Sequence, residues 1–305
     1  MRSYDALYVK RLFFATRPQF LPAIAVAAGL GASSAWHETG SFNAFTFSIT
    51  MLAALLYHAG MNVLNDYFDF KNGADALNKN PLTPFAGGSR FIQNNILTPG
   101  ETLSLGTALI IAGSAAGIYL AITTSPLLLL IGIIGLASGY FYSAPPLFLA
   151  GRGLGELTVG LNFGLLTVIG AYLVQAGTVT VYAAAVSLPL TFLIAAILYI
   201  NEFPDYESDR AAGKRNLVVR LGPERARGGL AIFFLFAYSS IIAGVISGVL
   251  PGISLIALLT IFLAIPAVLV LYRNYNGGTA LVPAIKATIA AHLATGLLQI
   301  ISIFI

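Results

Sequence analysis

Cysteine is absent from the 305 residues and charge is nearly so: 16 Lys+Arg and 12 Asp+Glu amount to 9% of the chain, against about a quarter in an ordinary soluble domain. Without cysteine there is no disulfide framework, no thiolate nucleophile and no thiolate metal site. Charge this scarce excludes a soluble globular enzyme and a disordered tail, and the missing heptads exclude a coiled coil. A net charge of +4 over so long a chain is also too small a basic surplus to indicate a nucleic-acid partner. What the chain does have is apolar residues, 57% of the total.

The few charges are not scattered. Five fall in residues 1–17, seven in 66–101 and eleven in 202–227. Between these stretches run nearly uncharged segments of about 17 to 25 residues, the length of helix that crosses roughly 30 Å of hydrocarbon. Nine are read, at residues 20–36, 44–64, 103–123, 126–144, 155–175, 181–200, 229–249, 253–272 and 280–303. Lys and Arg collect in cytoplasmic loops, and with the N-terminus inside, fifteen of the sixteen basic residues fall on the cytoplasmic side, while Lys286 lies within the ninth span. The sequence therefore predicts an all-α integral membrane protein: nine transmembrane helices bundled around a central cavity, N-terminus cytoplasmic and C-terminus opposite. Residues 1–305 form one domain, with cytoplasmic loops at about 65–101 and 201–228. The small-residue tail Gly31–Ala35 is read as part of a retained span and not as a cleavage region.

Both charged loops carry the same pattern. Asn65-Asp66-Tyr67-Phe68-Asp69-Phe70 and Asn201-Glu202-Phe203-Pro204-Asp205-Tyr206 match as Asn, acid, aromatic, any, Asp, aromatic at an offset of 136 residues. On a helix, Asn62, Asp66 and Asp69 share one face, bordered by Asn65 and His58, and Asn201, Asp205 and Asp209 share another. Carboxylates grouped at a membrane boundary repel one another and call for cations. Their hard oxygens select Mg²⁺, Mn²⁺ or Ca²⁺. Lys71, Lys79, Arg90, Arg210, Lys214 and Arg215 lie among the acids. That mixture suits a polyanion such as a diphosphate, bridged to both acidic faces through metal and clamped by the cations.

These residues resemble the paired aspartate motifs of the UbiA-type intramembrane prenyltransferases, with Asn65-Asp66-x-x-Asp69 as the first and Asp205-x-x-x-Asp209 as the second. Thr16-Arg17-Pro18 with Leu21-Pro22 is similar to the family's opening motif, and Asp209-Arg210-x-x-Gly213-Lys214-Arg215 through Leu221-Gly222 to its extended second motif. Within the family the 1,4-dihydroxy-2-naphthoate branch of menaquinone synthesis is nearest, through Gly73 and Asp75 after the first motif and Leu154-Gly155-Glu156 with Gly164, Gly170 and Tyr172 in the middle. Where the broader pattern has a third aspartate this chain has Gly73, with Asp75 two residues on, which ranks Asp75 as a weaker ligand. A lysine common after the tyrosine of the fourth-to-fifth connection is also missing, and Arg152 is the first cation after Tyr142.

The resemblance implies transfer of an isoprenoid chain from a polyprenyl diphosphate to an aromatic or similar lipid-quinone precursor, with release of diphosphate. The acceptor it implies follows the branch, 1,4-dihydroxy-2-naphthoate first, with 4-hydroxybenzoate and geranylgeranylglyceryl phosphate as alternatives. It implies Asp66, Asp69, Asp205 and Asp209 as the catalytic metal ligands, joined by Asn65, for about two Mg²⁺ ions, or Mn²⁺ in their place. Arg17, Asn62, Asn65, Lys71, Arg90, Tyr142, Arg152, Tyr199, Asn201, Arg210, Lys214 and Arg215 are the expected substrate-binding residues. Arg17 either reaches the substrate or anchors the first span in the headgroups. Glu156 either pairs with Arg152 or serves the acceptor, and Lys286 and His292 are left out of the site. The partners are then the two substrates and the lipid bilayer, with the active site facing the cytoplasm from the cell membrane. A cation-coupled transporter also keeps carboxylates near membrane helices. Transporters, however, place them at the midplane on broken helices, whereas these acids sit at one surface.

Overall fold

A computed structural model describes residues 2–305, with side chains described from Leu7 onward; the side chain of Arg2, counted above on the cytoplasmic face, lies outside that range. The described residues are all helix and connection, as the sequence predicts. Helix α1 (Arg2–Ala15) precedes the bundle. The bundle itself comprises α2 (Pro18–Thr39), α3 (Ala44–Asn72), α4 (Pro99–Thr123), α5 (Leu127–Ser143), α6 (Gly155–Ala176), α7 (Val181–Asn201), α8 (Pro223–Ile246), α9 (Gly252–Arg273) and α10 (Thr279–Ile303). Eight of these are long and apolar enough to cross a membrane, and α5 is a shorter apolar helix of 17 residues.

The helices sort their residues as lipid-embedded helices do. Large apolar side chains such as Ile122, Ile133, Leu157, Ile246 and Phe262 stand exposed on the outside, a surface that hydrocarbon solvates and water does not. The inside is drawn together by small residues. A Cβ added to Gly31 of α2 would stand 2.2 Å from the Val168 carbonyl oxygen of α6, one on Gly164 would stand 2.3 Å from the Thr191 Cα of α7, and one on Gly296 would stand 2.2 Å from Val26 Cγ1. Glycine at these crossings lets backbones approach where no hydrophobic force acts between helices. Gly31→Ala is therefore expected to lower the thermal midpoint in detergent, through an overpacking cost of about 1–3 kcal/mol. An unchanged midpoint would show that α2 and α6 have room to spare.

Two departures from regular helix shape the end of the bundle that carries the acidic motifs. Helix α3 does not stop with its apolar segment but runs on through both acids of the first motif, and ends at Asn72 against Gly73 in the left-handed conformation, φ 83°. Helix α7 instead stops at Asn201, and residues 202–205 form a turn containing Pro204 before the short helix Tyr206–Ala211. Asn201, Asp205 and Asp209 therefore do not ride one continuous helix as the spacing predicts. Asp205 and Asp209 nonetheless stay one turn apart, because the Asp209 amide donates to the Asp205 carbonyl at 2.8 Å. Within α6, residues Gly160–Leu166 open into a π turn where Gly160 and Gly164 seat on Thr191, a distortion frequent near functional sites.

Candidate active site

The acids of the two motifs meet. Lys214 Nζ lies 3.7 Å from Asp69 Oδ2 and 3.6 Å from Asp209 Oδ1, so one ammonium joins carboxylates from the two repeats. Arg17 forms an ion pair with Asp66. It does so from a left-handed backbone, φ 55°, at the junction of α1 and α2. A non-glycine residue held there costs free energy that surrounding contacts must offset, and the charged pair with Asp66 is one such contact. Asp66, Asp69 and Asp209 are each at least nine-tenths buried.

The segment between α3 and α4 ties the motifs from above. Asp205 accepts from Asn78 Nδ2 at 2.8 Å and from the Gly87 amide at 2.9 Å, and Asp66 accepts from the Ser89 amide at 3.3 Å. Gly87 and Gly88 both have positive φ, 81° and 75°. A Cβ on Gly88 would stand 3.2 Å from Asp66 Oδ1 and 3.1 Å from Asp75 Oδ1. Asp75 is thus not the outlying acid its displaced spacing predicts: the turn at Gly73 swings it back beside Asp66, where Gln93 Nε2 donates to it at 2.8 Å and Arg90 donates to its carbonyl.

Burial and mutual repulsion govern the protons here. Burial pushes the Asp209 carboxyl up to about 7 against the pull of Lys214, with Asp205 and Asp69 adding to the rise. Burial likewise pushes Asp75 up to about 7, reinforced by Asp69 and Asp66, and raises Asp205. Lys214 is also raised, but this keeps its charge: burial disfavours the ammonium, and Asp209 and Asp69 outweigh that and hold it well above its usual range.

Beneath the acids opens a cavity of about 380 Å³ that extends among α2, α3, α5, α6, α7 and α10. Arg17, Asn62, Asn65, Asp69, Tyr142 and Asn201 line it, together with Asp205, Asp209 and Lys214. Asn65 Nδ2 donates to Asp69 Oδ2 at 3.1 Å and to Ser143 Oγ at 2.9 Å, Asn62 Nδ2 donates to the Thr16 carbonyl at 3.0 Å, and the buried Asn201 Oδ1 has no partner. An unpaired amide oxygen beside the acids suits a cation or a hydroxyl.

Other expected residues stay outside. Lys71, Arg152, Arg210 and Arg215 are exposed and off the cavity wall. Arg90 is spent on the Asp75 carbonyl. Tyr199 is buried on the opposite face of α7 from Leu198 and Asn201, and its hydroxyl donates to the Ala226 carbonyl at 2.6 Å; the helical phase of about 200° between residues 199 and 201 accounts for it. The Arg152–Glu156 ion pair does not form: Arg152 Nη2 donates to the Pro146 carbonyl at 3.0 Å, and both Glu156 oxygens are buried without a partner. Arg227 stacks over Tyr272 at 4.1 Å and Tyr275 at 5.0 Å, away from the cavity. Sequence reasoning missed Asn78, Gly87, Gly88 and Gln93. The Gly-Gly pair in an acidic loop was the available signal for them, since adjacent glycines there imply close backbone approach.

The donor set fits a divalent oxygen-seeking cation. Among the described residues no three carboxylate or imidazole groups converge into a closed cage. Mg²⁺ typically takes only one or two carboxylates and completes its shell with water and phosphate oxygens, and paired acids at Asp66/Asp75 and Asp69/Asp209 offer that.

Comparison with known proteins agrees with the geometry. The UbiA prenyltransferase family pattern matches residues 23–288. The chain is 30% identical over 286 residues to 1,4-dihydroxy-2-naphthoate octaprenyltransferase of Mycobacterium tuberculosis, covering 92% of each. It is 29% identical over 251 residues to the Bacillus subtilis enzyme of the same name, covering 82% of this chain and 77% of that one. In fold it is similar to a UbiA homolog from Archaeoglobus fulgidus solved bound to DMAPP and Mg²⁺, with a TM-score of 0.67, 20% identity and coverage of 96% and 98%. The chain belongs to the UbiA prenyltransferase family and is an enzyme of that class.

Proposed function

We propose that this protein transfers an isoprenoid chain from a polyprenyl diphosphate to 1,4-dihydroxy-2-naphthoate, in a Mg²⁺-dependent reaction that releases diphosphate. The observation that carries the reading is the Lys214 bridge between Asp69 and Asp209. It brings acids 140 positions apart in the chain to one point at the mouth of an otherwise greasy cavity. A diphosphate binds at such a mixed acidic and basic mouth, and the apolar cavity below takes the hydrocarbon. The acceptor follows the M. tuberculosis and B. subtilis relatives.

Asp66 with Asp75, and Asp69 with Asp205 and Asp209, are the groups that would hold Mg²⁺, about two ions in all. Bound there, Mg²⁺ supplies Lewis-acid neutralisation of the leaving diphosphate. Lys214 and Arg17 add fixed positive charge at the same mouth, where the bond from the prenyl C1 to the diphosphate oxygen breaks and the oxygen keeps the electron pair. Tyr142 and the apolar wall keep the allylic cation from water until a ring carbon of the acceptor bonds to C1 and sheds the proton or carboxyl group it carried.

All nine bundle helices, α5 included, cross the membrane in this reading, with the N-terminus and active site on the cytoplasmic side of the cell membrane. The basic loops support that orientation. The test of the acceptor is a panel of 1,4-dihydroxy-2-naphthoate, 4-hydroxybenzoate and geranylgeranylglyceryl phosphate, each incubated with purified protein, a polyprenyl diphosphate and Mg²⁺. The naphthoate is expected to be prenylated at least about tenfold faster than the others. Preference for either of the other two would overturn the acceptor assignment and leave the diphosphate site standing.

A further inference from the structure

One group on the deep wall of the cavity has nothing to bond to. The other polar side chains there are satisfied within the protein: Thr50 donates to the Thr46 carbonyl, Thr158 to the Leu154 carbonyl and Thr167 to the Asn162 carbonyl. Tyr57 is bonded to Ser114 at 2.9 Å, and Asn162 to Ser138 at 2.9 Å. His58 is not satisfied. It lines the cavity, is 6% exposed, and its Nδ1 is buried without a partner. The ring of Phe163 packs on it at 4.5 Å between centroids and holds the imidazole in place.

On α3, Asn65 and Asp69 lie about 20° to either side of the line that runs up from His58. His58 lies about two turns, roughly 12 Å, below Asp66. A diphosphate held by the acids does not reach that depth. An isoprenoid chain reaches it but offers no hydrogen-bond partner, and a desolvated imidazole against hydrocarbon is unfavourable. The substrate that carries polar atoms on a flat apolar body is the aromatic acceptor.

Resting on the prenyl-transfer reading, we infer that His58 hydrogen-bonds a ring oxygen of the acceptor and so stations the ring between the imidazole and the acidic mouth. A neutral imidazole presents one donor and one acceptor, which matches a phenolic hydroxyl. His58 is then a determinant of acceptor binding and takes no part in holding the diphosphate.

The test is steady-state kinetics on the full-length protein in detergent with Mg²⁺, varying 1,4-dihydroxy-2-naphthoate and prenyl diphosphate separately, for wild type, His58→Phe and His58→Gln. His58→Phe is expected to raise KM for the acceptor by about tenfold or more while KM for the prenyl diphosphate moves by less than about twofold; His58→Gln, which keeps a donor and an acceptor, stays within about threefold. A second measurement needs no variant. The acceptor with its ring hydroxyls converted to methyl ethers is expected to lose about tenfold in kcat/KM on the wild-type enzyme. An unchanged acceptor KM in His58→Phe, an equal rise in both KM values, or full activity of the methyl ether on wild type would overturn the inference. No prenylation of any acceptor by the wild type would instead overturn the reading beneath it.

Discussion

Asp69→Ala and Asp205→Ala each reduce prenyl transfer by at least about 10²- to 10³-fold, the loss typical when charge stabilisation of a transition state is removed. The two residues come from opposite repeats and hold different partners. Asp69 faces Lys214, Asn65 and Asn72, whereas Asp205 takes the Asn78 amide and the Gly87 backbone. Removing Asp69 strips the first acidic face of its contact with the second. Removing Asp205 frees the strap between α3 and α4 as well as a carboxylate. Neither lies at a helix crossing, so expression, membrane insertion and elution of the purified protein are expected to match wild type. Turnover assayed with a polyprenyl diphosphate checks both, and wild-type activity in either variant would show that one repeat alone makes the site.

Lys214→Met has the next largest effect, an expected loss of about 10²-fold in kcat/KM for the prenyl diphosphate. The ammonium lies against carboxylates of both motifs, and it pulls the Asp209 carboxyl down against burial. Methionine keeps the length and apolar stem but leaves Asp69 and Asp209 facing each other uncompensated, which weakens both diphosphate binding and the arrangement of the acids. Lys214→Arg is expected to recover a substantial part of the loss. Arg225→Ala, an exposed cation outside the cavity, is the control and should stay within about threefold of wild type. Equal losses in Lys214→Met and Arg225→Ala would reduce the role of Lys214 to bulk charge.

Much of this was legible in the residues. The spans follow from where charge is missing, and every expected apolar segment coincides with a helix of the bundle. Asp66, Asp69, Asp205 and Asp209 could be picked out because an acid repeat at constant offset needs a reason, and helical phase puts the first pair on one face of α3, while the turn at 202–205 breaks the helix that the second pair's spacing implied; Lys214 and Arg17 stood out through the motifs that carry the family resemblance. What the sequence hid is what depends on chain reversal. Asp75 is displaced in linear spacing, but the left-handed turn at Gly73 carries it back to Asp66. Lys71, Arg210 and Arg215 look equivalent to Lys214 in a list of cations, yet the left-handed turn at Gly213, φ 74°, brings Lys214 back between Asp69 and Asp209 while the others stay exposed. Tyr199 sits two residues from Asn201 and faces the other way. His58 bordered the acidic face in sequence too, but that no neighbouring hydroxyl or amide bonds its Nδ1 is a consequence of how the helices pack.

The central claim is that the two motifs form a single cation-dependent diphosphate site at the mouth of the cavity. Calorimetric titration of the purified wild-type protein with geranyl diphosphate, in Mg²⁺ and again after EDTA, tests it most directly. The account predicts one binding event that weakens by at least about tenfold on chelation and is competed by inorganic diphosphate but not by geraniol. Binding of equal strength with and without Mg²⁺, or binding that geraniol competes as well as diphosphate does, would contradict it.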